Sequence, residues 1–66
     1  MNEYEVILIY NSRILARQKY KSVSEIVIAT NIKFSDFELR ELLLLGIGKS
    51  FVKFTKMEKI EIVKIL

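Results

Sequence analysis

Two stretches near the N-terminus, Tyr4 to Tyr10 and Ile14 to Tyr20, are rich in β-branched and aromatic residues and flank a short polar segment. Composition of this kind marks strands. The polar trio Asn11-Ser12-Arg13 between them predicts a β-hairpin. With all three residues in the loop, Tyr10 faces Ile14, Leu8 faces Ala16, Val6 faces Gln18 and Tyr4 faces Tyr20, which gives a nearly uniform apolar face. The opposite face then sets Glu5 against Lys19 and Glu3 against Lys21. A two-residue loop would set Val6 against Arg17 and Tyr4 against Lys19, mixing the faces, so a three-residue loop is expected. Arg13 is the odd residue in it, because such loops favour Gly or Asn there.

The period then changes. Ser22-Val23-Ser24-Glu25 and Ser35-Asp36-Phe37-Glu38 both fit the capping box, in which Ser accepts from a free backbone N–H and the Glu three residues later accepts from the cap's own N–H. Phe34 and Leu39 flank the second box at the spacing of a hydrophobic staple. Helix one is expected from Val23 to Asn31 with Val23, Ile26, Val27 and Thr30 inward. Helix two is expected from Asp36 to Leu45 with Leu39, Leu42 and Leu43 inward, stopped by a left-handed Gly46. The connector Asn31-Ile32-Lys33-Phe34 is short, so the helices should be neighbours.

Beyond Gly46-Ile47-Gly48 the apolar residues Phe51, Val52 and Phe54 fit either a strand or a packed loop. After the polar stretch from Thr55 to Lys59, Ile60 to Leu66 reads as a strand that joins the hairpin's sheet. The expected architecture is α+β in the order ββααβ, a small antiparallel or mixed sheet packed on two helices. No Pro, linker composition or internal repeat divides the chain, so residues 1–66 are expected to form a single domain.

Composition changes this picture in two ways. A chain of 66 residues leaves much of its surface exposed, and 52% of its residues are hydrophobic, including the runs Val6 to Tyr10 and Leu42 to Leu45. A homodimer is the simplest way to cover the surplus. No Cys and no His are present, which removes disulfides, thiolate metal sites, the commonest metal ligand and the side chain that titrates near neutrality. No cofactor and no metal are expected. The apolar runs fall short of the roughly 18 residues that cross a membrane, and Glu3 and Glu5 stand where a signal peptide would be basic. A cytoplasmic protein, in the host cell if viral, is the expectation.

Catalytic groups are equally few. Glu25 and Glu38 serve as capping partners, Asp36 suits a helix N-terminus, and Glu3 and Glu5 pair across the hairpin, leaving Glu41 and Glu58 with no paired spacing. A non-enzymatic role is therefore expected. Gly46-Ile47-Gly48-Lys49-Ser50 contains the Gly-Lys-Ser of a phosphate-binding loop, but Leu43 stands where that motif needs its first Gly, and the flanking elements come in the wrong order.

The net charge of +3 is unevenly spread. Met1 to Tyr10 carries −2, Asn11 to Lys21 carries +4, Ser22 to Leu45 carries −2 and Gly46 to Leu66 carries +3. Arg13, Arg17, Lys19 and Lys21, with Lys49, Lys53 and Lys56, are the candidate nucleic-acid-binding residues, able to follow a phosphate backbone if the strands bring them side by side. The stretch from Tyr20-Lys21-Ser22-Val23-Ser24-Glu25-Ile26 to Asn31-Ile32-Lys33-Phe34-Ser35 resembles the first helix and turn of a helix-turn-helix. It is similar to the short modules associated with homing nucleases and small phage proteins, a likeness that implies DNA binding. Helix two carries Asp36, Glu38 and Glu41 around a single Arg40, which moves the expected binding surface to the sheet.

The order hairpin, helix, strand, with Ser35-Asp36-Phe37-Glu38 opening the helix and Lys64-Ile65-Leu66 ending the chain, is similar to the small dimeric phage inhibitors of uracil-DNA glycosylase. That likeness implies a protein-binding surface with Asp36, Glu38 and Glu41 as its candidates. The expected function is a dimeric binding protein from a phage or mobile element that binds nucleic acid through a basic sheet face. The alternatives are an inhibitor or modulator of a host enzyme, or a small structural virion component.

Overall fold

A computed structural model describes residues 2–66 and contains six elements. They are β1 (Tyr4–Tyr10), β2 (Arg13–Tyr20), α1 (Val23–Thr30), α2 (Asp36–Leu43), β3 (Ser50–Phe54) and β4 (Lys59–Lys64). The α+β class is as expected, with order ββααββ in place of ββααβ. The additional strand is β3, and the four-stranded sheet, ordered β2-β1-β4-β3, is antiparallel at every pairing.

The hairpin corrects one expectation and explains why it nearly held. Asn11 and Ser12 alone form the loop, both at positive φ (49° and 62°), as in the two-residue turn whose twist matches that of paired strands. Such a loop should have mixed the faces. It does not, because Leu15 is an extra residue opposite the Leu8/Ile9 step, a β-bulge that shifts the register from Ile9↔Ile14 to Leu8↔Ala16. Leu8↔Ala16, Val6↔Gln18 and Tyr4↔Tyr20 are therefore kept, while Tyr10 faces Arg13 rather than Ile14. Ser at a left-handed position is strained, so Ser12→Gly is expected to raise stability by about 0.5–1 kcal/mol, measured by urea unfolding at fixed chain concentration.

Both helices start where their Ser caps stand. Ser22 accepts from the Glu25 backbone N–H at 3.1 Å, with no return bond from Glu25, so helix one has half of its box. The Ser35 box is complete: Oγ accepts from the Glu38 N–H at 3.1 Å, and Glu38 Oε1 accepts from the Ser35 N–H at 2.8 Å. Helix one stops at a left-handed Asn31 (φ 56°). Helix two stops at Leu44 in an ordinary conformation, earlier than expected. The left-handed glycine is Gly48 (φ 80°), not Gly46, and it serves the turn that leads into β3.

The core lies between the helices and one face of the sheet. Tyr4, Val6, Val23, Ile26, Leu42, Phe51, Ile60 and Ile62 form one buried cluster, with Leu8, Tyr20, Val27, Ile32, Phe34, Leu39 and Leu45 packed around it. Leu43, expected inward, is exposed. β4 is central: Ile62 stands opposite Val6 on β1 and Phe51 on β3, so it receives contacts from both flanks. Among the described residues no second layer covers the face away from the helices, and Ile7 is the one buried residue on it.

Candidate interaction surfaces

Strand order decides how the basic residues are distributed. Arg13, Arg17 and Lys19 lie on β2, with Lys21 just beyond it, whereas Lys49, Lys53 and Lys56 lie on or beside β3. β2 and β3 are the two edges of the sheet, so β1 and β4 separate the two groups. On the helix-free face Arg17 and Lys19 do stand on one side of β2, but acids accompany them. Arg17 Nε is 4.0 Å from Glu5 Oε2 and Lys19 Nζ is 3.7 Å from Glu3 Oε1. The register places Glu61 and Lys59 of β4 on the same face. Its ion pairs run diagonally, and Glu3 pairs with Lys19 instead of the expected Lys21. Exposed pairs of this kind contribute about 0–1 kcal/mol to stability, but they cancel much of the local positive potential.

Lys53 and Glu38, expected in two different binding surfaces, hold one another. Lys53 Nζ donates to both Glu38 carboxylate oxygens at 2.8 Å. It also lies 5.8 Å from the centre of the Phe34 ring, which meets Phe51 edge-on at 6.2 Å. This cluster ties α2 and its preceding loop to β3. Asp36 and Glu41 remain exposed on α2, and Lys49 and Lys56 are exposed in the loops flanking β3. Lys56 borders a depression of about 420 Å³ shared with Asn11, Ser12, Phe54 and Met57.

The Lys53 hydrogen bond, followed by that from the Ser35 backbone N–H, holds the Glu38 carboxyl below its ordinary value of 4.5. A carboxyl whose folded pKa is depressed stabilises the fold fully above its unfolded pKa, and that contribution is lost as pH falls through the folded value. Stability is therefore expected to drop as pH is lowered from about 6 to about 3. Glu38→Gln should remove part of that slope while leaving half of the cap. Urea midpoints across this range check the sign: a midpoint that rises on acidification, or an unchanged slope in Glu38→Gln, contradicts it.

The most conspicuous surface is apolar, and its residues were absent from the sequence-based candidates. Val23, Ser24, Val27 and Ile28 of α1 and Leu39 and Leu43 of α2 line an open groove of about 410 Å³. Ile28 is 82% exposed and Leu43 65%. Leu44 and Phe37 extend apolar surface over the outer side of α2, at 77% and 70% exposure. The signal in the sequence was the surplus itself: Ile26-Val27-Ile28 and Leu42 to Leu45 carry apolar residues around more of each helix than one buried stripe needs.

Among the described residues no group of three acidic, His or Cys side chains is placed to hold a metal ion. No helix is long and apolar enough to cross a membrane. No family model, curated protein or solved structure matches the chain.

Proposed function

We propose that the chain is a small, non-catalytic binding module that docks an amphipathic helix of a partner protein into the groove between α1 and α2. The observation that carries this reading is the exposure of Ile28 and Leu43 on the two walls of a groove floored by Val23 and Val27. Aliphatic walls with only the Ser24 hydroxyl among them suit aliphatic anchors spaced three or four residues apart on one helix face, the usual helix-in-groove mode. Phosphate or metal would find no matching donors or ligands there. The non-catalytic part rests on a sequence with neither His nor Cys and on Glu3, Glu5 and Glu38 being engaged in ion pairs and a helix cap.

Nucleic-acid binding through the sheet is the second reading. Its supporting observations are the shared face of Arg17 and Lys19 and the adjacency of Lys49 and Lys64, whose backbones are joined by a hydrogen bond of 3.1 Å. Selection of binders from a displayed library of amphipathic helices, beside a titration of duplex DNA at low and moderate salt, separates the two. The helix reading expects aliphatic, salt-insensitive binders. Tight DNA binding that weakens steeply with salt, with no helix selected, would favour the second.

A further inference from the structure

The two edges of the sheet differ in a way that bears on self-association. β2 carries two devices that discourage pairing: the bulge at Leu15, and the like charges Arg13, Arg17 and Lys19, which no acidic residue of the strand offsets in a second copy. β3 has neither. It is unbulged in its pairing with β4, and its one charged residue, Lys53, is already bound to Glu38 on the helix side of the sheet.

The hydrogen-bond phase of β3 is fixed by its flanks. Thr55 N–H donates to the Glu58 carbonyl at 2.9 Å and Lys64 N–H donates to the Lys49 carbonyl at 3.1 Å. In an antiparallel ladder the bonded residues alternate, so Lys49, Phe51, Lys53 and Thr55 direct their backbone groups toward β4. Ser50, Val52 and Phe54 direct theirs away from it, and among the described residues these groups have no backbone or side-chain partner outside β3. The side chains of the same three residues lie on the helix-free face, with Phe54 73% exposed and Val52 40%.

We infer that β3 is a dimerisation edge, at which a second copy of this chain pairs antiparallel about a two-fold axis through Val52 to make a continuous eight-stranded sheet. In that register Val52 faces Val52 of the partner subunit and Ser50 faces Phe54 of the partner subunit. Every outward N–H and C=O of the three residues then gains a partner. A shift by one residue would set inward-directed groups against outward-directed ones and lose the ladder. The pairing brings no like charges into direct opposition, since Lys53 faces the partner's Phe51. Glu38 in the first turn of α2 and Phe34 in the loop before it contact Lys53 and Phe51 of β3, so the start of α2 lies beside this edge.

Sedimentation equilibrium of the full chain tests this, because the outward N–H of Val52 is not needed by the monomer's own ladder. The intact chain is expected at twice the chain mass at micromolar concentration. Val52→Pro removes the central donor and Val52→Lys sets two cations face to face. Both are expected to fall to one chain mass with an unchanged far-ultraviolet circular dichroism spectrum. Lys19→Ser, on the opposite edge, should keep the doubled mass. Should Val52→Pro fail to fold, Val52→Lys decides the matter. A wild-type chain that stays at one chain mass, or a Val52→Lys variant that keeps the doubled mass, overturns the inference.

Discussion

Replacing Ile62 by Ala is expected to abolish cooperative folding at 25 °C. Ile62 is fully buried on the central strand β4, between Val6 of β1 and Phe51 of β3, and its side chain closes the sheet against both helices. Truncating a buried Ile to Ala costs about 2–5 kcal/mol, the transfer term plus the cavity left behind. A single core of this size rarely supplies more than about 3–5 kcal/mol. The loss therefore consumes most or all of the stability margin. Ile28→Ala is the matched comparison: the same chemical deletion at an exposed site should stay within about 0.5 kcal/mol. Urea unfolding followed by circular dichroism, at one chain concentration because association would raise apparent stability, reads both. Equal effects from the two deletions would mean that the core has been misplaced.

The contrast between these isoleucines also shows what was legible in the sequence. β-branched and aromatic content around a polar loop located β1 and β2, and matching their faces gave Tyr4↔Tyr20, Val6↔Gln18 and Leu8↔Ala16. The loop is shorter than expected because a left-handed Asn-Ser turn and a bulge at Leu15 together produce the same facing as a longer loop. Local sequence constrains their sum and not each part. β3 was ambiguous because a strand of five residues has little periodicity. What settles it is pairing to β4 and a Lys53–Glu38 contact fifteen positions apart in sequence. Ser35 and Glu38 were legible as a box because both halves of that interaction are local. Leu43 was not, since its place in the helical period resembles that of a core residue and only the position of α1 leaves it on a groove wall. The charges were visible throughout. Their neighbours were not, and Glu3, Glu5 and Glu38 change the electrostatic meaning of Lys19, Arg17 and Lys53.

Charging the walls of the helical groove is expected to abolish partner binding without unfolding the protein. In the variant Ile28→Lys with Leu43→Lys both substituted side chains are solvent-exposed, so their cost to folding should be small. An aliphatic anchor seated between them would instead meet two cations with no counter-charge in the groove lining. Interface anchors of this kind typically contribute about 2 kcal/mol or more each, near thirtyfold in affinity. The double variant should therefore lose at least that factor for any helix that binds the wild type, while keeping its circular dichroism spectrum and unfolding midpoint. Arg17→Ser with Lys19→Ser serves as the opposite comparison. It should leave helix binding intact and would weaken any binding that depends on the sheet's cations.

The most direct test of the proposed groove is a methyl and amide nuclear magnetic resonance titration of the intact chain with an amphipathic helix selected for binding, and separately with duplex DNA at low salt. The helix is expected to shift the resonances of Val27, Ile28, Leu39 and Leu43, with the sheet left unperturbed and little dependence on salt. Shifts confined to Arg13, Arg17, Lys19 and Lys21 on addition of DNA, with the groove methyls silent toward every helix offered, would contradict it.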